Sequence, residues 1–70
     1  MIKLNLGLLK IARRNRNLTT EQAGKLLGRD RTTIWRWETG LTDIPTTILC
    51  QMMDLYKVTP MNIFVQVQED

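Results

Sequence analysis

The chain has 70 residues, 43% of them hydrophobic, with a net charge of +3, one cysteine and no histidine. That length supports one domain, marginal unless well packed or oligomeric, and the lone Cys50 allows neither an internal disulfide nor any common zinc site. No apolar run approaches the ~20 residues of a membrane span, the N-terminal MIKLNLGLLKIARR lacks a signal-peptide cleavage site, and an unpaired cysteine suits the reducing cytoplasm.

Ile2, Leu4 and Leu6 alternate with Lys3, Asn5 and Gly7, a brief strand period. A helix follows, capped by Asn5 and running to about Asn15, with Leu8 or Leu9, Ala12 and Arg13 on one face. Asn17 stands where a left-handed residue ends it, and Leu18 enters the core. Thr19 or Thr20 caps the second helix, answered by Gln22 or Glu21 as in a capping box, and Ala23, Leu26 and Leu27 form its inner face. Gly24 costs about 1 kcal/mol against alanine in a helix interior, so its presence implies close approach of another helix. Gly28 ends this helix and Asp30 caps the next by accepting from the Thr33 amide.

On a helical wheel Ile34, Trp37 and Glu38 fall on one side of the third helix, and Thr32, Trp35, Arg36 and Thr39 on the other. Arg31 lies between the faces at the N-terminal end, and Gly40 stops the helix. After a linker, Leu41 to Ile44, and Pro45, Thr46 caps a fourth helix with Ile48, Met52 and Leu55 inward and Leu49 and Tyr56 flanking. Val58 and Thr59-Pro60 begin a short fifth helix through Ile63 and Phe64. The tail VQVQED alternates again, either as a strand against Ile2–Leu6 or as a frayed end.

Charge is unevenly distributed. Residues 1–40 carry nine Lys/Arg against Glu21, Asp30 and Glu38, a balance of +6, whereas residues 41–70 carry only Lys57 against Asp43, Asp54, Glu69 and Asp70, a balance of −3. A polyanion facing the basic half is the natural inference, with an ordinary solvated surface as the alternative. Catalysis has little to stand on: Cys50 has no base beside it, Asp43 and Asp54 sit on different elements, and no glycine-rich phosphate loop is present. Neither an enzyme nor a bound cofactor or metal is expected.

The pattern Arg13…Leu18-Thr19…Gly24…Leu27-Gly28…Ile34…Trp37-Glu38-Thr39-Gly40…Pro45…Leu55-Tyr56…Val58-Thr59 resembles the Cro/CI-type helix-turn-helix family, the lambda-repressor-like or XRE-like domains, over about residues 8 to 64. The resemblance implies an all-α, five-helix bundle with the helix-turn-helix at Thr19–Gly40, here with possible short terminal β-strands. It implies a sequence-specific regulator of double-stranded DNA, usually homodimeric, of the kind common in phages and bacterial chromosomes. Three positions depart from the usual pattern: Thr20 replaces a common phosphate-contacting glutamine, Arg29 a small apolar turn residue, and Ala23 a larger aliphatic.

By the same resemblance Arg31, Thr32 and Arg36 are the base-reading positions. Arginine pairs bidentately with guanine, and threonine touches a thymine methyl or accepts a bond. Phosphate binding alone is the competing role for both arginines. Trp35, outward on the wheel, joins the base-contacting set or packs as a partly buried ring. Phosphate contacts are expected from Thr19 and Thr20 at a helix N-terminus, from Arg29, from Thr39, Leu41 and Thr42 through backbone amides, and from Arg13. Arg14, Arg16 and Lys10 read equally as a solvated face, the better reading for Lys10. The family also pairs positions matching Arg13 and Glu38, an ion pair that fixes the third helix rather than adding stability. The main expectation is a Cro-type repressor on a two-fold symmetric operator in the nucleoid of a bacterial or phage-infected cell. The alternative is a protein-interaction module on the same fold, of antitoxin or anti-repressor type.

Overall fold

A computed structural model describes residues 1–68. Its elements run β1 (Ile2–Leu4), α1 (Leu6–Asn15), α2 (Thr20–Leu27), α3 (Arg31–Thr39), α4 (Thr46–Tyr56), α5 (Pro60–Ile63) and β2 (Phe64–Gln66). The architecture is an all-α helix-turn-helix bundle of five helices, closed by a two-stranded antiparallel ribbon in which Ile2 faces Gln66 and Leu4 faces Phe64.

Local chemistry sets most boundaries. The Asn5 side chain accepts from the Leu8 amide at 2.9 Å, so α1 begins at Leu6 and β1 stops at Leu4. Asn17 takes a left-handed φ of 58°, and the chain turns there into α2. Thr19 and Gln22 form a reciprocal capping box, with bonds of 3.1 and 2.9 Å. Gly28 closes α2 at φ 72°, a conformation that glycine adopts without a Cβ penalty. Asp30 then accepts from the Thr33 amide at 2.8 Å and starts α3.

One side chain or more from every helix meets in the core. Leu9, Ile34, Met52 and Ile63 are completely buried, with Trp37 and Tyr56 almost so. Burying one such large side chain is worth about 1.5–3 kcal/mol, so the core is enough to order helices of 4 to 11 residues that would not persist alone. α2 packs chiefly on α3, and α1 spans α3, α4 and α5.

Several local expectations are corrected. Leu26 is 61% exposed, because the inner stripe of α2 is Ala23, Gly24 and Leu27. Gly24 is approached by the turn, not by a helix: a Cβ there would collide with the Arg29 carbonyl oxygen. The Gly24 carbonyl in turn accepts from the Arg29 amide at 2.8 Å, which locks the turn onto α2. α4 is preceded by Pro45 with no side-chain cap, and Thr46 is its first residue rather than its cap. Tyr56 is buried, not flanking, and Leu55 only half-buried.

Phe64 leaves α5 and opens β2. The Ile63 carbonyl accepts from the Asn5 amide at 2.7 Å, which brings the two chain ends together and favours the ribbon. The Val67 amide extends the pairing to the Met1 carbonyl at 2.7 Å. The last residues of the VQVQED tail, Glu69 and Asp70, lie outside the described residues.

Candidate nucleic-acid interface

α3 is a nine-residue helix with two unlike sides. Ile34 and Trp37 are buried and hold it to the bundle. Arg31, Thr32, Trp35, Arg36 and Thr39 are exposed. Trp35 is the unusual member, an indole 53% exposed on a polar helix face. Its ring stands between two depressions. One is shared with Thr20, Arg31 and Thr32. The other is lined by Lys10, Arg14, Asn17, Thr19 and Thr20 among others. The outward face of α3 and the N-terminus of α2 therefore form one continuous surface.

That surface can hold anions. The amides of Thr20 and Glu21, in the first turn of α2, have no hydrogen-bond partner among the described residues. The Thr19 hydroxyl oxygen accepts from Gln22 and keeps its proton free to donate. Unpaired amides at a helix N-terminus, with Lys10 and Arg14 beside them, suit a phosphate. Lys10, Arg14 and Asn17 share this wall. Their spacing of four and then three residues places them on one side of the chain, and all three are exposed.

Arg29 lies elsewhere. It borders a separate depression with Glu21, Lys25 and Asp30, and its guanidinium donates to the Gly28 carbonyl at 3.0 Å. Arg31 borders both regions. The Thr39 hydroxyl donates back to the Trp35 carbonyl at 2.9 Å, and the Leu41 amide donates to the Arg36 carbonyl at 3.0 Å. The Leu41 amide is thus engaged in closing α3, while the Thr39 hydroxyl sits against the backbone of the preceding turn.

Beneath the surface Arg13 Nε donates to Glu38 Oε2 at 2.7 Å and a second guanidinium nitrogen to Oε1 at 3.1 Å. The third nitrogen donates to the Leu18 carbonyl. The two side chains are 6% and 4% exposed. This two-pronged pair ties α1 to the C-terminal half of α3 and to the entry of α2. It engages all three guanidinium nitrogens and leaves two N–H groups over, and Arg13 lines the depression that Thr19 and Thr20 border.

Two titrating groups bear on the site. Hydrogen bonds from Thr33, with the charge of Arg36 behind them, hold the Asp30 carboxyl below the usual range. Burial, reinforced by the negative charge of Glu38, pushes the Tyr56 hydroxyl up to about 12. The Tyr56 oxygen is buried without a hydrogen-bond partner among the described residues.

A family model described as a helix-turn-helix domain matches residues 7–62. The chain belongs to the helix-turn-helix domain family. No curated relative and no solved structure matches it significantly. Family membership agrees with the Cro/CI-type resemblance of the motif residues and makes DNA binding by a regulator the class of function. Such helix-turn-helix domains are typically non-enzymatic modules. Among the described residues of this one, no helix is long and apolar enough to cross a membrane.

Proposed function

We propose that the protein is a sequence-specific transcriptional regulator, a Cro-type repressor, whose α3 enters the major groove of its operator. The observation that carries this reading is the exposed α3 face of Arg31, Thr32, Trp35 and Arg36 beside the free N-terminal amides of α2. An α-helix fits the major groove, and arginines near its exposed face reach guanine O6 and N7. Arg31, Thr32, Trp35 and Arg36 are assigned to bases. Thr19, Thr20, Lys10 and Arg14 are assigned to phosphates on one side of the groove, and Arg29 to the backbone on the other. Arg13 is assigned to positioning through Glu38.

A single nine-residue reading helix makes few base contacts. Two subunits related by a two-fold axis would read half-sites about 34 Å apart, one turn of the duplex. An apolar strip of Ile2, Pro60, Met61, Phe64 and Val65 supports a homodimer, as do the open edges of the short β-ribbon. None of its residues is charged, and none lines the basic depressions beside α3. The reading places the protein in the cytoplasm, on the nucleoid.

The same strip is what a protein-binding module, of antitoxin or anti-repressor type, would use. Capture of random genomic fragments at moderate salt separates the two. Enrichment of a two-fold symmetric site supports the regulator. Absence of any enriched site, with tight capture of a protein partner instead, reverses the assignment.

A further inference from the structure

The depression between α2 and α3 carries a more specific inference, which rests on the DNA-reading assignment above. Arg31 and Trp35 lie one turn apart on α3, and Thr32 is three residues from Trp35, so the three share a stripe. Thr20, the first residue of α2, faces them and closes a shallow pocket on the reading surface. The lining residues are chemically distinct: a tryptophan, two threonines, each with a methyl group, and one arginine. A wholly phosphate-binding surface has no use for the indole. A half-exposed tryptophan on a polar helix also leaves apolar area in water, which a bound apolar group would cover.

In the major groove the apolar group available is the 5-methyl of thymine, and the neighbouring polar target for an arginine is the O6/N7 edge of guanine. We infer that this pocket is a thymine-methyl receptor: Trp35, Thr20 and Thr32 enclose the methyl, while Arg31 donates to a guanine in the adjacent base pair. Thr20 is central, because its short side chain leaves the pocket open where a longer one would fill it.

The test changes the DNA and leaves the protein intact. In a duplex selected from a random library, each thymine is replaced singly by deoxyuridine, which removes only the methyl. Dissociation constants are then measured by fluorescence anisotropy at fixed salt. One thymine per half-site, next to a G·C pair, should lose about three- to fivefold in affinity, the scale of burying one methyl group. With Trp35→Ala, and separately with the pocket-filling Thr20→Gln, the thymine-to-deoxyuridine ratio at that position should fall to about one. In the intact protein, 5-methylcytosine against cytosine at the same position should show a methyl increment of similar size.

Sequence-specific binding with no deoxyuridine-sensitive thymine overturns the pocket while leaving the regulator standing. So does a methyl effect that keeps its full size in both variants. Failure to select any duplex overturns both.

Discussion

Glu38→Gln isolates the buried ion pair that ties α3 to α1. In the wild type the Arg13 guanidinium and the Glu38 carboxylate share two hydrogen bonds at 2.7 and 3.1 Å, with both side chains about 95% buried. Glutamine keeps the shape but removes the charge and turns one acceptor into a donor facing other donors. The buried guanidinium is then uncompensated, and removing one partner of such a pair costs about 3–5 kcal/mol. Glutamine's remaining acceptor puts this change near the lower end, about 3 kcal/mol. A domain of 70 residues has roughly 3.5–10 kcal/mol in total. The melting temperature should therefore fall by about 12–24 °C.

Replacing both partners, as Arg13→Met with Glu38→Leu, should recover most of the loss, because the desolvation cost disappears with the attraction. Urea unfolding followed by tryptophan fluorescence measures both variants. A loss below about 1 kcal/mol for Glu38→Gln, the level of an exposed ion pair, would refute the reasoning. The double variant adds a second readout. If the pair positions α3, it should be stable yet bind DNA less selectively than wild type.

Gly24→Ala should destabilise by about 1–3 kcal/mol despite the better helix propensity of alanine, since the Cβ meets the Arg29 carbonyl; a stabilised variant in urea melts would remove the close-approach explanation. Tyr56 is the only tyrosine, so phenolate absorbance reads it alone, and its midpoint should lie near 12 rather than 10. Because that value is raised on folding, the contribution is intact below pH 10 and is lost as the pH rises from about 10 to 12. Tyr56→Phe should lack this alkaline loss and be neutral or slightly stabilising at pH 7, as its buried hydroxyl has no partner among the described residues; a loss above ~1.5 kcal/mol would point to a hidden hydrogen bond. Asp30, held low by Thr33, contributes above its unfolded value near 3.8 and less as the pH falls through its lower folded value, so Asp30→Asn should blunt the acid limb of stability. Arg36→Ala should cost roughly 1–3 kcal/mol at one base position; an equal loss on every sequence would assign Arg36 to phosphate.

What was legible in the sequence was local chemistry with a single good solution. Asn5, Thr19, Asp30, Gly28 and Gly40 each offer a backbone conformation or an acceptor that ends or begins a helix, and each does so in the structure. The wheel separated Trp35 from Trp37 because α3 is long enough to have two distinct sides. Contacts between elements were less legible. Gly24 suggested a close neighbour, but no local rule distinguishes a crossing helix from a carbonyl in the following turn. Leu26 is an apolar residue of the right type on the wrong side of an eight-residue helix, where one misplaced position shifts the whole stripe. The Thr39 hydroxyl is bonded to the carbonyl four residues back, a local contact that wheel reasoning does not register. The pocket around Trp35 required Thr20 to be set against α3, which only the turn geometry determines.

The central claim is that α3 reads DNA sequence, with two copies of the chain reading two half-sites. Selection of bound duplexes from a random library tests it most directly, because the winning sequences report specificity, symmetry and spacing together. The expected result is an enriched, two-fold symmetric site whose half-sites lie about 34 Å apart and each contain at least one G·C pair at which Arg31→Ala or Arg36→Ala relaxes the preference. A pool that stays random while binding falls steeply with salt would mean that the basic face only neutralises phosphates, and would contradict the claim.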